Sequence, residues 1–252
     1  MKLLVDVGNT QVKYVLQGTK TSSVFSDVIY VDYQTFQNQL SQGEFSQVSE
    51  IIVANVHGQE VLESIECWAT EKNIACLQVH SSAQAFGVKS SYHQAERLGV
   101  DRWLALIGAK QLYPQQNILI IDAGTATTVD ILDVNGQHHG GWIMPGVEVL
   151  FSSLLSRTNK IVASPSTSAS LEFGTDSSSC LNHGSWAMTI GAIKEAITQA
   201  NNLLVLNKVL ITGGNAQEIA NLIPETCQLE PKLIFHGLSC FKATERRDTI
   251  NN

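Results

Sequence analysis

Apolar residues along this chain fall into two patterns. Short continuous runs stop at Asp or Gly, and longer stretches carry apolar side chains three and four positions apart. From Lys2 to Gln17, an apolar run, a Gly8-Asn9-Thr10 turn and a second run, Val12-Lys13-Tyr14-Val15-Leu16, predict two strands around a tight connection. A third strand is expected at Val24–Val31, and a buried one at Ile51-Ile52-Val53-Ala54. Val61–Thr70 reads as a helix with Leu62, Ile65 and Ala69 on one face. Leu98–Leu112 reads as another, striped by Trp103, Leu104, Ile107 and Leu112, with Pro114 beyond its end where a proline is expected.

The pattern then restarts. Ile118-Leu119-Ile120-Ile121-Asp122 is a strand ending in aspartate and a glycine turn, Thr128–Asp133 is its return strand, and Asn135-Gly136 is a hairpin signal leading into Gln137–Met144. Ser156–Gly184 is rich in Ser, Thr, Ala and Asn and reads as a loop or irregular cap. Gly184–Leu204 is a helix with Trp186, Ile190, Ile193, Ile197 and Leu204 at core spacing, and Val205–Gly214 is a strand running into Thr212-Gly213-Gly214-Asn215. Aligning Asp6 with Asp122 pairs Leu3 with Leu119, Gly8 with Gly124, Val15 with Ile131 and Leu16 with Leu132. A weaker echo pairs Ile51-Ile52-Val53 with Val209-Leu210-Ile211. These repeats imply an internal duplication, with two domains, 1–115 and 116–252.

Composition narrows the function. The 252 residues suffice for two domains of roughly 100–150 residues. With 44 % apolar and 15 % charged residues the chain folds rather than staying disordered. A net charge of −7 and a pI near 5.5 argue against nucleic acid or anionic membrane as a partner, both of which attract a basic face. They leave room for an anionic ligand held by backbone N–H groups. The five cysteines include no Cys-x-x-Cys pair and read as reduced thiols. The apolar run at the N-terminus stops at Asp6, too soon for a signal peptide, and no stretch reaches the roughly 20 apolar residues of a membrane span. A cytoplasmic, soluble protein is expected.

The two Asp-x-Gly turns carry the chemistry. In each, an apolar strand brings an aspartate to the edge of a sheet, and glycine permits a turn whose N–H groups can face phosphate oxygens, with the Thr10 and Thr125 hydroxyls as further donors. The aspartates repel phosphate, so they make sense as partners of a cation that touches it. One such turn is ordinary turn chemistry, whereas two in matching places of two half-chains are specific. The Thr212-Gly213-Gly214 turn would let a flat ring such as adenine approach the backbone, or would simply join strand to helix. At Gly99-Val100-Asp101-Arg102, Asp101 can be a helix-start residue or a base for an attacking hydroxyl, and spacing does not choose. Lys13 can reach a phosphate or point outward. Adjacent His138 and His139 face opposite sides of a strand, which argues against a joint metal site.

The order of the three turns resembles the superfamily of acetate and sugar kinases, heat-shock ATPases and actin. That resemblance implies an α/β fold of two ribonuclease-H-like domains with nucleotide in the interdomain cleft. The set Asp6 to Lys13, Tyr92, Leu98 to Trp103, Asp122 to Asp130, Gly140 to Gly146 and Thr212 to Gly214 is similar, more narrowly, to type III pantothenate kinase, from residue 2 to about Leu238. The family phosphorylates pantothenate with ATP, the first step of coenzyme A synthesis, and requires Mg2+ together with K+ or NH4+. By that resemblance Asp6, Val7, Gly8, Asn9, Thr10, Gln11, Val12 and Lys13 form the first phosphate segment, with Asp6 on magnesium through water. Asp101 is the general base. Tyr92, Gly99, Val100, Asp101 and Arg102 meet pantothenate, Asp122 binds the monovalent cation, and Thr125 meets ATP. A family Gly-x-x-Thr motif seven residues before another glycine matches Gly174 to Ser177 and Gly184, with Ser177 replacing threonine. A homodimer is implied. The rivals are another small-molecule kinase of the superfamily and a transcriptional accessory protein without activity; the intact Asp6, Asp101 and Asp122 argue against the latter.

Overall fold

The computed structural model describes residues 1–18, 24–158, 160–166, 168–223 and 227–243. It contains two five-stranded sheets of one topology. The first is formed by β1 (Lys2–Val7), β2 (Val12–Gln17), β3 (Ile29–Val31), β4 (Glu50–Asn55) and β5 (Ala75–Gln78), in the order β3-β2-β1-β4-β5. Strands β1, β2 and β3 are antiparallel, while β4 lies parallel to β1 and β5 parallel to β4. All six β1 residues are buried, as a central strand with both faces covered requires. The helices α1 (Tyr33–Gln42) and α2 (Gln59–Glu71) connect its strands. Phe36 and Leu40 of α1 and Val61, Leu62, Ile65, Trp68 and Ala69 of α2 pack with Tyr14, Phe45 and the strand residues in one core.

Two-residue strands β6 (Gln84–Ala85) and β7 (Val88–Lys89) precede α3 (Val100–Leu112). The second sheet then repeats the order with β8 (Ile118–Ala123), β9 (Ala126–Leu132), β10 (His138–Pro145), β11 (Lys208–Thr212) and β12 (Gln228–Leu229), arranged β10-β9-β8-β11-β12. Its directions match the first sheet, with β8 antiparallel to β9 and parallel to β11. Helices α4 (Val147–Leu155) and α5 (Ser177–Leu203) fall between β10 and β11, and α6 (Ala216–Leu222) between β11 and β12. The α5 stripe Trp186, Ile190 and Ile193 packs on Leu119, Ile121, Val209 and Ile211. The echo between Ile51-Ile52-Val53 and Val209-Leu210-Ile211 lies in register, since these residues oppose Leu3-Leu4-Val5 and Leu119-Ile120-Ile121 respectively.

Several expectations need correction. The return strands do not align as Val15 with Ile131. Leu3 opposes Leu16 in the first hairpin, but Leu119 opposes Ile131 in the second, so the second turn is one residue shorter. The strand expected at Val24–Val31 shrinks to Ile29–Val31, with Phe25 making an isolated bridge to Gln17. Helix α5 starts at Ser177 rather than Gly184, inside a Ser-rich stretch of loop-like composition. Asp176 caps it, accepting from the Ser178 and Ser179 N–H groups, and the Ser179 hydroxyl completes a capping box. Helix α1 has no counterpart in the sequence reading, although Asp32 caps its start and Gly43, at φ 79°, closes its end.

The chain forms two compact units. One is residues 1–86, 92–112 and 232–252, the other 87–91 and 113–231. A single boundary near residue 115 does not describe this division, because the chain returns to the first unit at Lys232. There α7 (Leu233–Ser239) packs on α3. Two glycines make this crossing close: a Cβ at Gly108 would fall on the Leu233 carbonyl oxygen, and one at Gly237 on the Leu104 carbonyl oxygen. Gly237→Ala should therefore force the helices apart and cost about 1–3 kcal/mol in urea unfolding. Gly191→Ala, in mid-α5 with open space at its Cβ, should instead stabilise by about 0.5–1 kcal/mol.

Candidate active site

In the first unit, β1 carries Asp6 to the end of the sheet, where its side chain is almost wholly buried. Lys13 lies directly across the β1–β2 ladder, with Nζ 3.7 Å from Asp6 Oδ2. Burial pushes the Asp6 carboxyl above its ordinary range, Lys13 draws it partly back, and the Asp101 carboxylate raises it further. The Gly8 N–H closes the turn by donating to the Gln11 carbonyl at 3.1 Å. Val7 and Val12 are fully buried, so their side chains hold the sheet and only their backbone can serve a ligand, whereas Asn9 and Thr10 are exposed and Gln11 is half-buried.

Asp101 and Arg102 stand in the first turn of α3. Gly99 lets the Asp101 carboxylate fold back, since a Cβ there would lie 2.5 Å from Oδ1, and that oxygen accepts the Arg102 N–H at 2.8 Å. The buried Arg102 guanidinium donates to the Tyr92 hydroxyl at 2.8 Å and sits 5.7 Å from the centroid of its ring. The half-buried Val100 lies between Gly99 and Asp101. The first unit thus gathers Asp6, Lys13, Asp101, Arg102 and Tyr92. It also recruits Tyr33, which the sequence did not single out. Its hydroxyl donates to the Gly8 carbonyl at 2.7 Å while its ring stacks on His57. Only the Asp32 helix start beside it is legible in the sequence.

In the second unit, Asp122 and Thr125 flank a turn in which the Gly124 N–H donates to the Ala126 carbonyl at 3.0 Å. Two other turns close on this one. Gly146, at the start of α4, donates its N–H to the Thr125 carbonyl at 2.9 Å, and a Cβ there would strike the Gly124 and Thr125 carbonyl oxygens. Gly213, at φ 96°, rests on the Ala123 carbonyl and Asp122 Oδ1, where a Cβ would come within 2.5 Å of both oxygens. Ser177, the first residue of α5, lines a cavity of about 840 Å³ with Leu150, Leu154, Leu181 and Met188. Ser177 therefore belongs to the second unit, and Tyr92, Asp101 and Arg102 to the first.

The two adjacent histidines have separate aspartates. Fully buried His138 has Nε2 2.8 Å from Asp130 Oδ1 and Nδ1 3.2 Å from Ser91 Oγ, while His139 has Nε2 3.0 Å from Asp133 Oδ2. Among the described residues no group of three or more His, Cys, Asp or Glu is arranged to hold a metal ion, and no helix is long and apolar enough to cross a membrane.

Two sheets of one topology, each with an Asp-x-Gly turn after its central strand, define a duplicated α/β nucleotide-binding fold of the actin and sugar-kinase type. Solved structures share it: a protein from Campylobacter jejuni described as a Baf family transcriptional activator has a TM-score of 0.61 at 22 % identity, covering 94 % of this chain and 96 % of its own. A ROK family glucokinase from Streptomyces griseus, in complex with glucose and AMPPNP, has a TM-score of 0.52 at 8 % identity, covering 96 % and 98 %. The family model for type III pantothenate kinase matches residues 2–199. A type III pantothenate kinase from Colwellia psychrerythraea is 40 % identical over 248 residues, covering 94 % of this chain and 98 % of that one. The chain belongs to the type III pantothenate kinase family.

Asp6 gives a direct test of the electrostatics. Because its folded carboxyl lies above the unfolded value, the folded chain binds the proton more tightly, and its stability falls as pH rises through the interval between the two. Asp6→Asn should raise the melting temperature of the ligand-free protein at neutral pH, flatten the pH dependence of melting above the usual aspartate range, and lower activity by more than about 100-fold.

Proposed function

We propose that this protein transfers the γ-phosphoryl group of ATP to the terminal hydroxyl of pantothenate, giving 4'-phosphopantothenate at the start of coenzyme A biosynthesis. The observation that carries the reading is the first-unit cluster, in which the Asp101 carboxylate stands close enough to buried Asp6 to raise its pKa, beside the Arg102–Tyr92 pair. A kinase needs a carboxylate to accept the proton of the attacking hydroxyl and cations to balance charge on the transferring group. Asp101 takes that proton, and Tyr92 with the Gly99–Arg102 segment orients pantothenate. The backbone of Asp6 to Lys13 faces the phosphates. Thr125 contacts ATP from the second unit, where the Gly213-Gly214 turn leaves room for a flat base.

The residues suit the cations this chemistry requires. Magnesium is commonly bound by one or two carboxylates, water and substrate phosphates rather than by a protein cage, so a pair of carboxylates fits it. Asp6 would hold it through water, and the ion would supply charge stabilisation on the phosphates. Asp122 Oδ1 and the Ala123 carbonyl oxygen lie together against Gly213, and oxygen ligands of this kind suit a hard monovalent cation such as potassium, with ammonium able to take the same place by hydrogen bonding. A homodimer fits the cavity beside Ser177, whose wall includes exposed Leu154 and Met188. Free cysteines and small charged substrates fit the cytoplasm.

A coupled assay with pantothenate, ATP, magnesium and potassium tests the reading. Asp101→Asn should lower kcat by on the order of 10²–10⁴ with a small change in either KM; a variant that turns over like the parent removes Asp101 as the base. Replacing potassium and ammonium by sodium should abolish turnover of the parent enzyme, and indifference to the swap would reject the cation role of Asp122.

A further inference from the structure

Asn215 sits where its side chain would ordinarily cap α6, yet it makes no capping bond there. Its amide is spent elsewhere: Nδ2 donates to both carboxylate oxygens of Glu148, at 3.2 and 3.1 Å, across 67 residues of sequence. Glu148 lies in the first turn of α4, two residues after Gly146. A residue that gives up a local bond for a remote charged partner marks a constraint beyond its own helix.

The location of this pair explains the choice. On one side of the Asp122–Thr125 turn, Gly146 donates its N–H to the Thr125 carbonyl. On the other, the Asn215 N–H donates to the Ala123 carbonyl at 3.0 Å, and Gly213 lies against Asp122 Oδ1. These contacts tie each flanking turn to the middle one, and the Asn215–Glu148 bond joins the two flanking turns to each other. The three turns form a closed ring of hydrogen bonds around the backbone that carries Thr125.

We infer that the Asn215–Glu148 pair is a positioning device for the nucleotide, holding the turn that carries Thr125 in its binding geometry. The inference rests on the reading that Thr125 meets ATP. Neither side chain need touch the substrate. Losing the strut lets the flanking turns separate, and ATP must then order the middle turn as it binds, which weakens ATP without affecting the acceptor.

Steady-state kinetics on the full chain tests this with Asn215→Ala, Glu148→Ala, the double variant, Glu148→Gln and Thr125→Ala. Asn215→Ala and Glu148→Ala should each raise the KM for ATP by about five- to tenfold, leaving the KM for pantothenate and the melting temperature near parental values. The double variant should be no worse than either single one, because both remove the same bond. Glu148→Gln keeps an acceptor oxygen and should recover most of the affinity. Additive effects, an unchanged KM for ATP, or equal weakening of both substrates would overturn the inference. If Thr125→Ala raises the KM for ATP while the pair is silent, the strut is wrong but the nucleotide turn stands. If Thr125→Ala is also silent, the nucleotide assignment itself fails.

Discussion

A carboxylate buried at the end of a fully buried strand is the constraint on which the rest of this molecule depends. Asp6 cannot sit in that place at low cost, and its elevated pKa records the strain. Relief comes from the neighbouring strand, because the β1–β2 register sets Lys13 directly opposite. A slip of one residue would turn Lys13 to the other face and leave the carboxylate alone. The register follows from a turn with four residues between Val7 and Val12, closed by Gly8 and braced by Tyr33. Turn length, strand pairing and charge balance are thus one arrangement.

The second hairpin shows what happens when that length changes. Its turn is one residue shorter, so Asp122 faces Thr128 instead of a lysine. There the Gly213 turn lies against the carboxylate, close enough that a Cβ would come within 2.5 Å of Asp122 Oδ1. Two copies of one strand-turn-strand element have in this way become chemically distinct. One presents a carboxylate facing a lysine, and the other a carboxylate packed against a glycine turn. The duplication has thus given two hairpins of one topology and different chemistry.

What the sequence disclosed follows from the range of the forces involved. Central strands such as Lys2–Val7 and Ile118–Ala123 announce themselves through continuous apolar runs, and the aspartate-glycine turns through composition. The helical stripes of α2, α3 and α5 are equally local. The α5 start was hidden because Ser177 and its neighbours have loop composition, and only the Asp176–Ser179 box makes them helical. Helix α1 shows just two buried positions, Phe36 and Leu40, too few to stand out as a stripe. The missing residue in the second turn passed unnoticed because Ile131 and Leu132 are both apolar, so either matches Leu16. Tyr33 on Gly8 and Asn215 on Glu148 join distant segments, which no local pattern encodes. Asp101 lay between these extremes. Its motif is plain in the sequence, but that it stands beside the Asp6 carboxylate is not.

The return of α7 to the first unit has a consequence for how the chain is made. The glycine-to-carbonyl crossing of α7 with α3, the Lys2 Nζ bond to the Phe241 carbonyl at 2.8 Å and the Ala243 N–H bond to Glu50 at 2.7 Å all join the early part of the chain to α7 and the residues just after it. On the ribosome, the N-terminal segments therefore emerge with the place of α7 against β1, β4 and α3 unfilled, and must wait while more than 100 further residues are translated. The second sheet is itself completed only by β12 at Gln228–Leu229, just before α7 begins at Leu233. Both units therefore reach completion within the same last stretch of synthesis, although the first was begun a full domain earlier.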